Sequence, residues 1–222
     1  MSGLATRSAS RPNPRLIAAF AVGAAGLAIT GGGVYAALNA TASNTTAQNA
    51  TSGILSLTMT NNGTGFSQGV SNLAPGDVVN RYVTLTQGAD LAGKDLTLAV
   101  SDGTATPTLL TTSATKGLRV TVTQCVGGDW TVTGAGSCTG TGATTSVLAT
   151  NVPLSSLATT PAALASAVAA GSTVKLQLAL SLPEQTETTV NGARPADSIQ
   201  GLSSALTWTF SETQRTATTT GS

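Results

Sequence analysis

The chain has no histidine in its 222 residues. Ser-His-Asp and Cys-His catalysis, His-ligated zinc and the H-E-x-x-H protease motif all need an imidazole, so all are excluded together. A Ser-Lys arrangement would need a nucleophile motif beside Lys94, Lys116 or Lys175, and none is present. Charge is also scarce, at 9% of residues, and aromatics make up 3%. Sugar-binding surfaces display exposed aromatics, and Tyr82 and Trp130 are among the few on offer. The glycine-rich stretch at residues 134–140 lacks the G-K-[ST] ending of a phosphate loop and reads as a hairpin loop. Asp77, Asp90, Asp95, Asp102 and Asp129 lack the D-x-D-x-D spacing of a calcium loop and read as turn residues. The expectation is a protein that is not an enzyme, with no catalytic residue, cofactor or metal.

What is present begins with an export signal. Arg7, Arg11 and Arg15 precede an uncharged apolar run over residues 16–29, which is short for a membrane span, and small residues follow it. Val34 and Ala36 occupy the small-residue positions for cleavage after Ala36, and Ala40-Thr41-Ala42 offers an alternative after Ala42. Removing three arginines leaves seven basic against nine acidic side chains, near net −2, with no basic patch for nucleic acid. Residues 39–52 are polar, rich in Ala, Thr and Asn, and without an apolar face. Such a segment is disordered when alone.

Beyond residue 52 the pattern has a period of two. Leu55, Leu57 and Met59 share a face, as do Leu96, Leu98 and Val100, and Leu118, Val120 and Val122. Val174, Leu176, Leu178, Leu180 and Leu182 form the clearest stripe, and Leu206, Trp208 and Phe210 the last. Asn62-Gly63, Pro75-Gly76-Asp77, Asp102-Gly103 and Asn191-Gly192 punctuate these runs as turns. Short alternating strands with such turns predict an all-β, antiparallel sandwich. One short crossover helix is expected, capped by Thr160, begun by Pro161, carried by residues 162–170 and ended by Gly171. Arg81 shares the parity of Val79, Val83 and Leu85, which places it near a sheet edge, snorkelling or paired with an acid. Cys125 and Cys138, thirteen positions apart in an exported chain, are expected to form a disulfide. The predicted organisation is a signal peptide at 1–36, a flexible segment at 37–52, a sandwich at 53–214 and a polar tail at 215–222.

The order of motifs resembles the TasA/camelysin (CalY) family of exported bacterial proteins, which a SipW-type signal peptidase processes. Gly32-Gly33-Val34-Tyr35-Ala36 resembles the end of the family signal, and Thr51-Ser52-Gly53-Ile54-Leu55-Ser56-Leu57 its first strand. Asn72-Leu73-Ala74-Pro75-Gly76-Asp77 matches the N-L-x-P-G-D turn. Leu182-Pro183, Gln200-Gly201-Leu202-Ser203, Trp208-Thr209-Phe210 and Gln214 follow in the family's order. Ser56 departs from the usual Asp, residues 101–160 are uncovered, and the Cys125 to Cys138 hairpin is not a hallmark of the family.

The resemblance implies a jelly-roll-like fold and a secreted structural subunit of a surface fibre or biofilm matrix. Its partner would be itself, in a head-to-tail homopolymer, with a minor anchoring or initiating homologue and the signal peptidase; the membrane matters only before cleavage. Assembly would proceed by strand exchange, the segment that starts Ala37, Leu38, Asn39, Ala40, Thr41 and Ala42 pairing with an open sheet edge of the next subunit. The alternatives are a camelysin-like surface metalloprotease and a monomeric surface adhesin.

Overall fold

Val174, Leu176, Leu178, Leu180 and Leu182 are all buried, and the residues between them are half-buried. That stripe is the centre of an antiparallel sandwich, seen here in a computed structural model that describes residues 52–63, 66 and 73–219. Ala36, Ala37, Leu38, Asn39, Ala40, Thr41, Ala42 and the turn's Asn72 lie outside the described residues. The elements run β1 (Leu57–Asn62), β2 (Val78–Gln87), β3 (Gly93–Asp102), α1 (Leu109–Thr112), β4 (Arg119–Val126), β5 (Asp129–Thr131) and β6 (Ser137–Thr139), then β7 (Thr144–Pro153), α2 (Leu154–Leu157), β8 (Ala162–Val168), β9 (Thr173–Ser181) and β10 (Leu206–Gln214). No helix among them is long and apolar enough to cross a membrane.

One sheet has five strands in the order β1-β2-β9-β4-β7, a second has three in the order β10-β3-β8, and β5 pairs with β6 alone. Every strand pairing is antiparallel. The inward faces of β2, β4 and β9 meet those of β3 and β8 in one core, where Leu85, Leu96, Leu98, Val120, Leu176 and Leu178 are almost wholly shielded. The all-β sandwich predicted from period-two alternation is the fold observed.

The expected crossover helix is not there. Residues 162–168 form β8, which pairs with β3 through Leu98↔Ala162 and Gly93↔Val168. Leu164 and Val168 are buried while Ala163 and Ala167 face out. A spacing of four puts two side chains on one face of a helix and equally on one face of a strand, so pairing with β3 decides between them and overrides alanine's helix propensity. Gly171, expected to end the helix, has φ +70° in the turn into β9. The two helices that do form, α1 and α2, are single turns of four residues.

The first strand also differs from expectation. It begins at Leu57, with residues 52–56 ahead of it outside any strand and Thr51 outside the described residues; Leu57 packs on the core, whereas Met59 is 46% exposed at the sheet's end. Trp208 and Phe210 are half-buried against the core, and Phe66 stacks on Trp208 with ring centroids 4.9 Å apart.

The β5–β6 hairpin lies on the outer face of the five-stranded sheet. Trp130 Nε1 donates to the Lys175 carbonyl (3.1 Å), Lys175 Nζ pairs with Asp129 (2.5 Å), and Gln177 Nε2 donates to the Ala135 carbonyl (2.6 Å). Cys125 on β4 and Cys138 on β6 are bonded, with Cα atoms 5.3 Å apart. Tyr82 is thereby covered by Trp130, at a centroid distance of 5.8 Å, and is only 4% exposed. Replacing both cysteines by serine is expected to cost about 3 kcal/mol, from the closure entropy of the loop between them. Urea titration with and without a reductant checks this, since reduced wild-type protein should match the double variant.

Candidate functional site

β2 is longer than the strand beside it. β9 accompanies it from Val78 to Thr86, but β1 covers only Tyr82 to Gln87. The first four residues, Val78 to Arg81, therefore have no strand on that side among the described residues. Arg81 sits one step beyond the Asn62↔Tyr82 pair that ends the β1 ladder, so it lies at a local edge of the sheet. In the facing sheet β10 is terminal and has β3 on one side only.

Between these two ledges opens a cleft of about 700 Å³. Its apolar wall includes Phe66, Leu73, Val79, Leu180, Leu182 and Trp208, and its polar groups include Arg81 and Glu187. Such a cleft presents an apolar floor for side chains and, at its flanks, backbone groups able to extend a ladder.

The motifs singled out in the sequence converge here. In the turn at Leu73–Asp77, the Asp77 carboxylate accepts from Ala74 N (2.7 Å), Asp77 N donates to the Ala74 carbonyl (3.0 Å), and Gly76 takes φ +92°, a conformation that favours glycine. Leu73 and Pro75 line the cleft. Gly76 N donates to the Leu182 carbonyl (2.8 Å) and Leu182 N to the Asp77 carbonyl (3.0 Å), which ties the turn to the Leu182-Pro183 block. Gln200, Gly201, Leu202 and Ser203 also face the cleft. Three blocks far apart in sequence thus build one rim, a convergence that their order along the chain does not reveal.

Lys116 fastens the long connection from β9 to β10. Its Nζ donates to the Asp197 carboxylate (2.7 Å) and carbonyl (2.9 Å), and the Gln185 side chain donates back to the Lys116 carbonyl (2.9 Å). The hydrogen bond to Asp197 raises the Lys116 pKa, and the same bond lowers that of Asp197. Glu187 accepts from Ser198 Oγ (2.6 Å) and Ile199 N (3.3 Å).

Asp102 holds the adjoining loop. Burial works against its charge, but hydrogen bonds from the Thr111 hydroxyl, from the Thr104 backbone and hydroxyl, and from Ser204 prevail and lower its pKa to about 2. A depressed carboxylate stabilises the fold above its unfolded pKa, and that contribution is lost as pH falls through the folded value. Wild-type stability is therefore expected to drop by on the order of 1–2 kcal/mol between about pH 4 and pH 2 through this group. Asp102→Asn should lack that portion of the acid dependence when urea midpoints are measured across the range.

The remaining candidates are dispersed. Asp95 pairs with Lys94 (3.3 Å) and Asp129 with Lys175, while Tyr82 lies beneath the hairpin, so the described surface has no aromatic platform built on it. All nine acidic residues and both cysteines are among the described residues, and no three of them gather into a group able to hold a metal.

Residues 13–106 match the family described as camelysin metallo-endopeptidase. The resemblance to the TasA/camelysin family, drawn above from the motif order, stands on this match. No curated protein matches the chain. The family description corrects the expectation that the chain is not an enzyme: that expectation rested on the missing imidazole, and the family is named for a metal-dependent peptidase. The donors present do not fit such a metal, because histidine is lacking, the thiols are spent in a disulfide and the carboxylates stand apart.

Proposed function

We propose that this chain, which falls in the TasA/camelysin family of exported, cell-surface proteins over residues 13–106, is a secreted structural subunit of an extracellular fibre or biofilm matrix. On this reading a SipW-type peptidase removes the signal. Residues 37–52 of one subunit then add a strand to the next, and the contact repeats head to tail without closing. The observation that carries the proposal is the cleft itself: a long strand with no second neighbour over Val78 to Arg81 among the described residues, a facing terminal strand, and apolar side chains between them.

The occupant is argued from the chain that precedes the described residues. Residues 37–52 include no charged side chain, so they enter an apolar cleft without stranding a charge. Sixteen residues can supply a strand as long as β10, which has nine, and still leave a connection to the next sandwich. Deleting residues 37–52 should abolish filaments in electron micrographs of the secreted protein and leave a folded monomer in sedimentation. Unchanged filaments in the deletion variant would sink strand donation.

The family description favours a second reading, a surface metallo-endopeptidase. Peptide hydrolysis by the purified protein that disappears with a chelator and returns with added metal would establish it.

A further inference from the structure

We propose that the Glu212 carboxylate and the Gln87 amide oxygen form a binding site for a hard cation, of which calcium is the natural probe, at the end of the sandwich where β2 passes to β3. Glu212 continues the half-buried alternation of Leu206, Trp208 and Phe210 on β10, at the bulge between Ser211 and Thr213. Its carboxylate occupies the space beside Gly93 so closely that a β-carbon at position 93 would land on it. Both carboxylate oxygens are buried and neither has a hydrogen-bond partner. The cations nearby in sequence are engaged elsewhere: Lys94 with Asp95 at 3.3 Å, and Arg215 with the Thr216 carbonyl and the Thr218 hydroxyl.

Gln87 supplies the second, independent observation. It is 1% exposed, and its Oε1 is likewise without a partner. Its Nε2 donates to the Leu91 carbonyl (2.8 Å), Arg215 N donates to the Ala92 carbonyl (3.0 Å), and Glu212 lies against Gly93. Leu91 and Ala92, with Gly93 at the start of β3, thus place the two side chains at the same end of the sandwich. All three orphaned atoms are acceptors, so what they require is positive charge or a donor, and a buried carboxylate left with neither is strongly disfavoured. A hard cation takes carboxylate and amide oxygens together and leaves the rest of its shell to carbonyls and water. A site of carboxylate and amide oxygens is a structural site, different from the open nitrogen or sulfur site of a peptidase.

Thermal melting of the secreted protein in chelator and in about 10 mM calcium chloride tests this. For a Kd of about 1 mM, usual for extracellular calcium modules, the melting temperature should rise by about 3–6 °C. Glu212→Gln should melt above the wild type in chelator, because it removes a buried unpaired charge, and should show no calcium-dependent rise. Should Glu212→Gln fail to fold, Gln87→Met serves as the second variant, and calorimetric titration should show its calcium affinity reduced at least about 10-fold. A wild-type melting temperature indifferent to calcium, or an equal rise in Glu212→Gln, overturns the proposal.

Discussion

Leu178→Ala is expected to lower the unfolding free energy by about 3–5 kcal/mol, a large share of what holds a domain of this size together. Leu178 lies at the middle of β9, the central strand of the five-stranded sheet, with β2 on one side through Arg81↔Leu178 and β4 on the other through Val122↔Leu178. It has no solvent exposure, and the buried leucines of β3 belong to the same core. Neighbours held by ladders on both flanks cannot collapse into the space a truncated side chain leaves, so the full cavity cost adds to the lost transfer energy. Val147 on β7 provides the contrast, since it is 58% exposed on a terminal strand. Val147→Ala should stay within about 0.5 kcal/mol of the wild type. Urea unfolding checks both: the Leu178→Ala midpoint falls with the slope unchanged, and a changed slope would mean that the two-state comparison has failed.

That contrast also explains what could be read in the sequence. β9 was legible because a strand buried on one face must alternate, and its four buried apolar residues do so without interruption. β7 was not legible, because it is terminal, mostly exposed and bulged against β4, so nothing forces an alternation on it. β8 misled for a different reason: with Leu164 and Val168 four apart among alanines, both periods fit, and only the pairing with β3 settles the matter. The single-turn helices α1 and α2 are too short to carry any period.

The cleft was half legible. Its rim motifs stood out one by one, and the turn at Pro75-Gly76-Asp77 has the geometry its residues dictate. Their meeting was hidden, because Leu73 and Leu182 are brought together by the tie between Gly76 and Leu182, a contact between residues more than a hundred positions apart. That the first four residues of β2 have no second neighbour among the described residues was equally hidden, since it depends on where β1 stops rather than on any residue of β2 itself.

Leu38→Arg is expected to eliminate filaments, whereas Asn39→Arg should leave them intact. In an extended segment successive side chains point to opposite faces, so Leu38, Ala40 and Ala42 share one side and Asn39, Thr41 and Ser43 the other. If residues 37–52 enter the cleft of the next subunit, the first set meets Leu73, Val79, Leu182 and Trp208, and the second faces water. A guanidinium driven among those apolar side chains loses its hydration, and that desolvation is the cost of burial. A penalty of about 3 kcal/mol per contact raises the subunit concentration needed for assembly by more than about 100-fold. The same charge at position 39 is hydrated and carries no such penalty. The paired variants separate strand donation from a general effect of charge, because both add one arginine to adjacent positions of the same segment. Loss of filaments in Leu38→Arg alone, seen by electron microscopy with the monomer's melting temperature unchanged, identifies the inward face. Filaments that persist in both variants would return residues 37–52 to the role of a spacer.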